Sequence, residues 1–180
     1  MFRIGDALPF FSRYSAANEV VGLARKTAST IVTAESLTGG MIGAALTSIP
    51  GSSRSYWGGF TVYSPDAKTR LLGVSSRILQ EYGTVSRETA EAMARGALDV
   101  SGADIAVAVT GVAGPGGGTD GIPVGTVWIA LARKASPGRD GVARAPEVSA
   151  ERCLFAGSRR RVRAATALRA LRLLAAQLDR

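Results

Sequence analysis

The 180 residues carry 22 basic and 14 acidic side chains, a formal charge of +8, with 46% hydrophobic and 20% charged residues. That length and balance suit one soluble globular domain with a proper core. The single Cys153 excludes an internal disulfide, and the absence of histidine removes the usual zinc-hydrolase ligand sets, so no metal or other cofactor is expected. No apolar run approaches the roughly 20 residues of a membrane helix. Asp6 and Pro9 break any signal-like stretch at the start, so a cytoplasmic protein is expected.

Along the chain, residues 17–29 have helix-like apolar spacing and "TIVTA" (30–34) is a β-branched run that predicts a buried strand. Residues 37–49 predict a helix with small residues on its first turn, and "PGSS" (50–53) a turn. "WGGFTVY" (57–63) predicts a strand. Residues 64–73 predict a helix with Ser64 as N-cap, Pro65 at the first helical position and Gly73 as the stop. A short helix over 75–83 and a longer one over 86–102 follow, the second capped by Ser86 with Glu88 in its first turn. The near-continuous apolar run at 103–111 suits a buried parallel strand. A glycine-rich loop (112–123), a strand (124–132), a polar loop (133–147), a strand (148–157) paired as a hairpin with its predecessor, and a final helix (159–178) complete the chain. Strands alternating with helices, then a late hairpin, predict a single three-layer α/β/α domain with a mixed, mostly parallel sheet.

Charge is concentrated at the end. Residues 152–180 hold eight arginines against one acid, Asp179, a net +7, so the rest is close to neutral. Such a segment predicts an anionic partner, either nucleic acid or a phosphate-bearing small molecule, unless it is a solvated helix face. Only three of the 22 basic residues are lysines: Lys26, Lys68 and Lys134. Arginine cannot give up its proton in a protein, so a chain this rich in arginine keeps a lysine where an amine is required.

Ligands of such folds bind beyond the carboxyl ends of the strands. Three stretches fall there: "ESLTGG" (35–40), "YSPDAK" (63–68) and "TGVAGPGGG" (110–118). Each has an ordinary structural explanation, as a helix cap, a surface lysine or a flexible turn. Their convergence on one sheet edge points to a site. Without histidine, a nucleophilic Ser36 needs another base, and Ser-Lys pairs are a known solution. Lys68 must then lose its proton near neutral pH, at a cost of about 4 kcal/mol that a low-dielectric site can impose. Alternatively Lys68 stays charged and favours the tyrosinate of Tyr63, which relays the proton. Backbone N–H groups at Gly39–Gly40 and Thr110–Gly111 are candidates for stabilising the oxyanion.

The ordered set "TAESLTGG", "IPGSS", "GGFTVYSPDAK", "GVSSRIL", "YGTVS", "AVTGVAGPGGG", "PVGTVWIALA" and "FAGSRRRVR" resembles the CinA C-terminal domain family, whose stand-alone members are nicotinamide-nucleotide amidohydrolases (NMN deamidases). The resemblance implies metal-free conversion of nicotinamide mononucleotide and water to nicotinic acid mononucleotide and ammonia, a step of pyridine nucleotide salvage. It implies Ser36 as nucleophile with Tyr63 and Lys68 as catalytic partners. Substrate binding then falls to Glu35, Thr38, Gly39, Gly40, Thr110, Gly111, Gly114, Arg159 and Arg163. The family's usual Gly-Asp-Arg reads Gly157-Ser158-Arg159 here. Residues 1–15 are expected to be an extension and residues 16–180 the domain, without the larger N-terminal domain that many members carry. A homo-oligomer is expected, and no membrane partner.

Two other enzyme classes fit poorly. Short-chain dehydrogenases use Tyr-x-x-x-Lys on one helix face, whereas Tyr63 and Lys68 would stand about 500° apart, and no G-x-G-x-x-G follows the first strand. No G-x-x-x-x-G-K-[ST] phosphate loop is present either. The competing reading from another class is a non-catalytic nucleotide- or nucleic-acid-binding module using the arginine segment. No aromatic residue lies among the arginines of the final helix to stack on bases.

Overall fold

The β-branched run forms β1 (Ile31–Glu35), buried at all five positions. It is paired in parallel on one side with β2 (Tyr56–Thr61) and on the other with β3 (Ile105–Gly111). β4 (Thr126–Arg133) runs antiparallel to β3, and β5 (Glu147–Leu154) antiparallel to β4 as the expected hairpin. The sheet order is β2-β1-β3-β4-β5, and only β4 opposes the others. The structure, a computed structural model, describes residues 8–135 and 145–179, so most of the polar loop predicted at 133–147 lies outside the described residues.

Side-chain size differs between the two sheet faces. Ile105, Val107 and Val109 of β3 and Val127, Ile129 and Leu131 of β4 pack under helices α1 (Leu8–Lys26), α2 (Met41–Thr47) and α6 (Arg159–Leu178). The other face is mostly alanine, with Ala106, Ala108, Ala130 and Ala132 beside Val32 and Ala34. It receives α3 (Pro65–Leu72), α4 (Ser76–Tyr82) and α5 (Arg87–Ser101). The small face lets α5 approach closely through Ala90, Ala94 and Ala97. The same economy governs α5 against α3, since a Cβ on Gly96 would stand 1.8 Å from the Leu72 carbonyl oxygen. Each fully buried Ile, Leu or Val contributes roughly 1.5–3 kcal/mol relative to exposure, so both faces are strongly specified. Among the described residues no helix is long and apolar enough to cross a membrane.

Local signals are obeyed where they are local. Ser64, Ser75, Ser86 and Ser158 each accept a backbone N–H three residues on and start α3, α4, α5 and α6. Gly73, in the left-handed region at φ 64°, stops α3. Two helices differ at their ends from the sequence reading. α1 begins at Leu8, not near residue 17, because a proline in the first helical turn loses no intrahelical bond. It ends at Lys26, where Ala28 takes a positive φ of 51° and the N–H groups of Ala28 and Ser29 return to the carbonyls of Arg25 and Ala24. The helix predicted from residue 37 starts at Met41. Gly39 and Gly40 hold φ of 60° and 92°, so residues 36–40 form a turn instead.

Candidate active site

The parallel strands β1 and β3 end side by side, and the Ser36 N–H continues the ladder by donating to Val109 O at 3.1 Å. This seats Ser36 at the top of the sheet, 8% exposed. β2 ends alongside, and Val62 N–H donates to Glu35 O at 2.9 Å before the chain turns through Tyr63 and Ser64 into α3. Because Pro65 opens that helix, Lys68 falls at its fourth position and its side chain returns beneath the turn.

Lys68 is 1% exposed and is the largest fully buried side chain of the described residues. Its Nζ lies 3.2 Å from Ser36 Oγ, 2.9 Å from Val62 O and 3.4 Å from Tyr63 O. Among the described residues no carboxylate contacts it, and burial pushes its pKa down to about 8. Two carbonyls fix two of its hydrogens, and in the neutral amine the lone pair is left for the Ser36 hydroxyl. The geometry thus puts the Lys68 amine, and not the Tyr63 phenol, against the Ser36 hydroxyl. Lys68 reaches Tyr63 only through its main-chain oxygen. The Tyr63 phenol is held elsewhere, accepting from Arg159 Nη2 at 3.2 Å, and Tyr63 is 65% exposed.

Arg159, at the start of α6, also donates through Nη1 to Gly114 O at 3.1 Å and so ties the glycine loop to the Tyr63 side. Between these parts is a pocket of about 260 Å³. It is lined by Ser36, Leu37, Tyr63, Pro65, Lys68, Thr84, Val85, Thr110, Gly111, Ala113 and Arg159. Thr110 and Thr84 are joined by the Thr110 hydroxyl, which donates to Thr84 O at 2.6 Å. A wider cleft of about 620 Å³ lies at the opposite ends of β1 and β2, around Arg25, Lys26 and Arg54, but it brings no base against a nucleophile. Among the described residues no group of three or more Cys, Asp or Glu is gathered as metal ligands.

A model of the CinA C-terminal domain matches residues 13–178. The chain belongs to the CinA C-terminal domain family. This CinA domain is 43% identical over 169 residues, 94% of its length, to a CinA-like protein of Geobacter sulfurreducens. It is 47% identical over 152 residues, 84% of its length, to a CinA-like protein of Geobacter metallireducens. It spans only 38% and 34% of those relatives' own lengths. Among solved structures, the competence/damage inducible protein CihA from Agrobacterium tumefaciens superposes with a TM-score of 0.84 at 39% identity, covering 94% of this chain and 96% of that one. The competence damage-inducible protein A (ComA) from Klebsiella pneumoniae gives 0.83 at 34% identity, covering 93% and 97%.

Of the residues expected at the site, Ser36, Tyr63, Lys68, Thr110, Gly111 and Arg159 of this CinA domain share the pocket; Glu35, Thr38, Gly39, Gly40, Gly114 and Arg163 do not line it. Glu35 needs correction. Its carboxylate is 1% exposed and accepts from Ile42 N (3.0 Å) and Gly43 N (2.9 Å), the first-turn donors of α2. Gly40, at the N-cap of α2, has no side chain to do this. Glu35 is therefore a helix cap reaching across from β1 and not a substrate ligand. Glu35→Ala is expected to lower stability by about 2 kcal/mol or more, since two buried donors lose their partner, with KM nearly unchanged. Chemical denaturation beside steady-state kinetics checks this; a KM effect without a stability loss would restore Glu35 to the pocket.

Thr84 and Val85 were not assigned roles by the sequence. The only signal was the Ser86 cap, which fixes where the residues before α5 must turn. The arginine segment is also less available than its charge suggests. Arg163 donates to Leu37 O and Thr38 O, and Arg169 forms a two-pronged ion pair with Glu151 at 2.8 and 2.5 Å. Ser158, where the family usually has Asp, remains an N-cap, its Oγ accepting from Arg161 N at 3.4 Å.

Proposed function

We propose that this domain is a nicotinamide-nucleotide amidohydrolase that converts nicotinamide mononucleotide and water to nicotinic acid mononucleotide and ammonia. One observation carries the reading: a buried amine, with no counter-charge among the described residues, 3.2 Å from a serine hydroxyl at the mouth of a pocket. Neutral Lys68 takes the Ser36 proton as Oγ attacks the carboxamide carbon, whose electrophilicity the pyridinium ring raises. The resulting lysine ammonium protonates the leaving nitrogen, ammonia departs and an acyl-serine remains. Water then adds to the acyl carbon with Lys68 again taking the proton. Collapse returns that proton to Ser36 and frees the carboxylate. Thr110 and Gly111 form one wall of the pocket, and Arg159 is its one guanidinium, suited to the substrate phosphate.

The direct test is ammonia release from nicotinamide mononucleotide by the purified protein across pH 6–9. With Lys68 held down to about 8, kcat/KM is expected to climb with pH, by about tenfold per unit at the acid end, and to level off above that value. Measured turnover that is flat across this range would remove Lys68 as the base.

A further inference from the structure

The turn after Ser36 uses its carbonyls and its N–H groups very differently. Ser36 O accepts from Gly39 N at 3.1 Å. The next two carbonyls face one guanidinium, with Arg163 Nε 2.9 Å from Leu37 O and Nη2 2.8 Å from Thr38 O. Three successive carbonyls are thus held. The N–H groups of Leu37 and Thr38, in contrast, have no acceptor among the described residues. Yet Leu37 is 4% exposed and Thr38 fully buried. The Thr38 hydroxyl is buried without a partner as well. Buried N–H groups without partners are rare, because each forfeits a hydrogen bond. Leu37, directly after Ser36, also lines the pocket, where an acyl-transfer site requires a preorganised donor. Of the donors expected from the sequence, the Gly39 N–H is already taken by Ser36 O.

We propose that the Leu37 N–H, on the pocket wall directly after Ser36, is an oxyanion donor and that Arg163 is the positioning residue that holds the turn carrying it, instead of a ligand for the substrate phosphate. The proposal rests on the amidohydrolase reading and deepens it. A trans peptide holds C=O and N–H in opposite directions, so fixing Leu37 O fixes the Thr38 N–H. In the same way, the Ser36 carbonyl held by Gly39 fixes the Leu37 N–H. A cation on a carbonyl also polarises its peptide unit and strengthens the N–H at the other end. Gly39 leaves the guanidinium its room, since a Cβ there would stand 3.4 Å from Nη2. Arg163 itself does not line the pocket, whereas Arg159 does.

Steady-state kinetics on the nucleotide and on its phosphate-free riboside separate the two roles. Arg163→Ala is expected to lower kcat by about 10²-fold or more, the scale of a lost oxyanion donor, with KM for both substrates within about threefold of wild type. Arg163→Lys, which keeps a cationic donor for one carbonyl, should recover part of kcat. A large rise in KM for the nucleotide alone, with kcat preserved, would overturn the proposal and make Arg163 a phosphate ligand. Native-state amide exchange tests the clamp without turnover. The Gly39 amide should exchange about tenfold faster or more in both variants, while the strands stay protected. Unchanged exchange at Gly39 overturns the proposal even in an active enzyme. A wild-type protein that releases no ammonia overturns the amidohydrolase reading instead, and exchange still decides whether Arg163 holds the turn.

Discussion

Ser36→Ala is expected to abolish ammonia release, by at least about 10³-fold, because the hydroxyl oxygen forms the covalent bond on which both halves of the reaction depend. The fold should not register the change. Among the described residues the only side-chain bond of Ser36 is the one from Lys68, and the backbone bonds that seat the turn, Ser36 N to Val109 O and Gly39 N to Ser36 O, do not involve the hydroxyl. Thermal unfolding should therefore shift by only a few degrees, because the Lys68 amine keeps the Val62 and Tyr63 carbonyls when it loses the hydroxyl. Mass spectrometry offers an independent reading: an acyl adduct on wild type, quenched in mid-turnover, and none on the alanine variant. Near-normal turnover in the variant would leave Ser36 as a turn residue and remove the proposed chemistry.

Lys68 is the second decisive position. Lys68→Arg retains the charge but cannot release a proton near neutral pH, so kcat should fall by about 10²-fold or more with KM little changed. Partial rescue by arginine would instead favour a lysine that merely supplies positive charge to Tyr63. The geometry argues against that, because Lys68 Nζ meets the Tyr63 main-chain oxygen while the phenol is bound by Arg159. Burial of the amine also leaves a thermodynamic trace. Its folded pKa, about 8, lies below its ordinary value of 10.5. Below pH 8 the lysine is protonated in both folded and unfolded chains, and the native state carries the full burial cost, on the order of 3 kcal/mol. Between about 8 and 10.5 the unfolded chain binds more protons than the native one, so this contribution makes stability rise with pH. Lys68→Met should lack that increment. Unfolding free energies of the two proteins at pH 7 and pH 10 provide the comparison, and parallel behaviour would mean that Lys68 is solvated in solution.

Much of this molecule follows from its sequence because the causes are short-range. Ser64, Ser86 and Ser158 start helices through bonds to N–H groups three residues on, and Gly73 stops one by its left-handed backbone. The Ile/Val–Ala alternation of residues 105–109 fixes β3 between a bulky and a thin helical layer. The order of strands and helices then forces Ser36, Tyr63 and Thr110 to one edge of the sheet, and with them the pocket. What the sequence left undecided depends on groups that meet across long chain separations. Glu35 looks like a ligand in "ESLTGG", yet its carboxylate ends in α2 because the Gly39–Gly40 turn brings two bare N–H groups over β1. Arg163 reads as a substrate-binding arginine in the sequence, yet it holds the carbonyl of Thr38, 125 residues away. Whether Lys68 or Tyr63 faces the serine hydroxyl is likewise set by tertiary structure. The packing of α3 on α5 and the return of its Lys68 to Ser36 and the Val62 carbonyl determine which polar atoms lose water, and no local pattern encodes them.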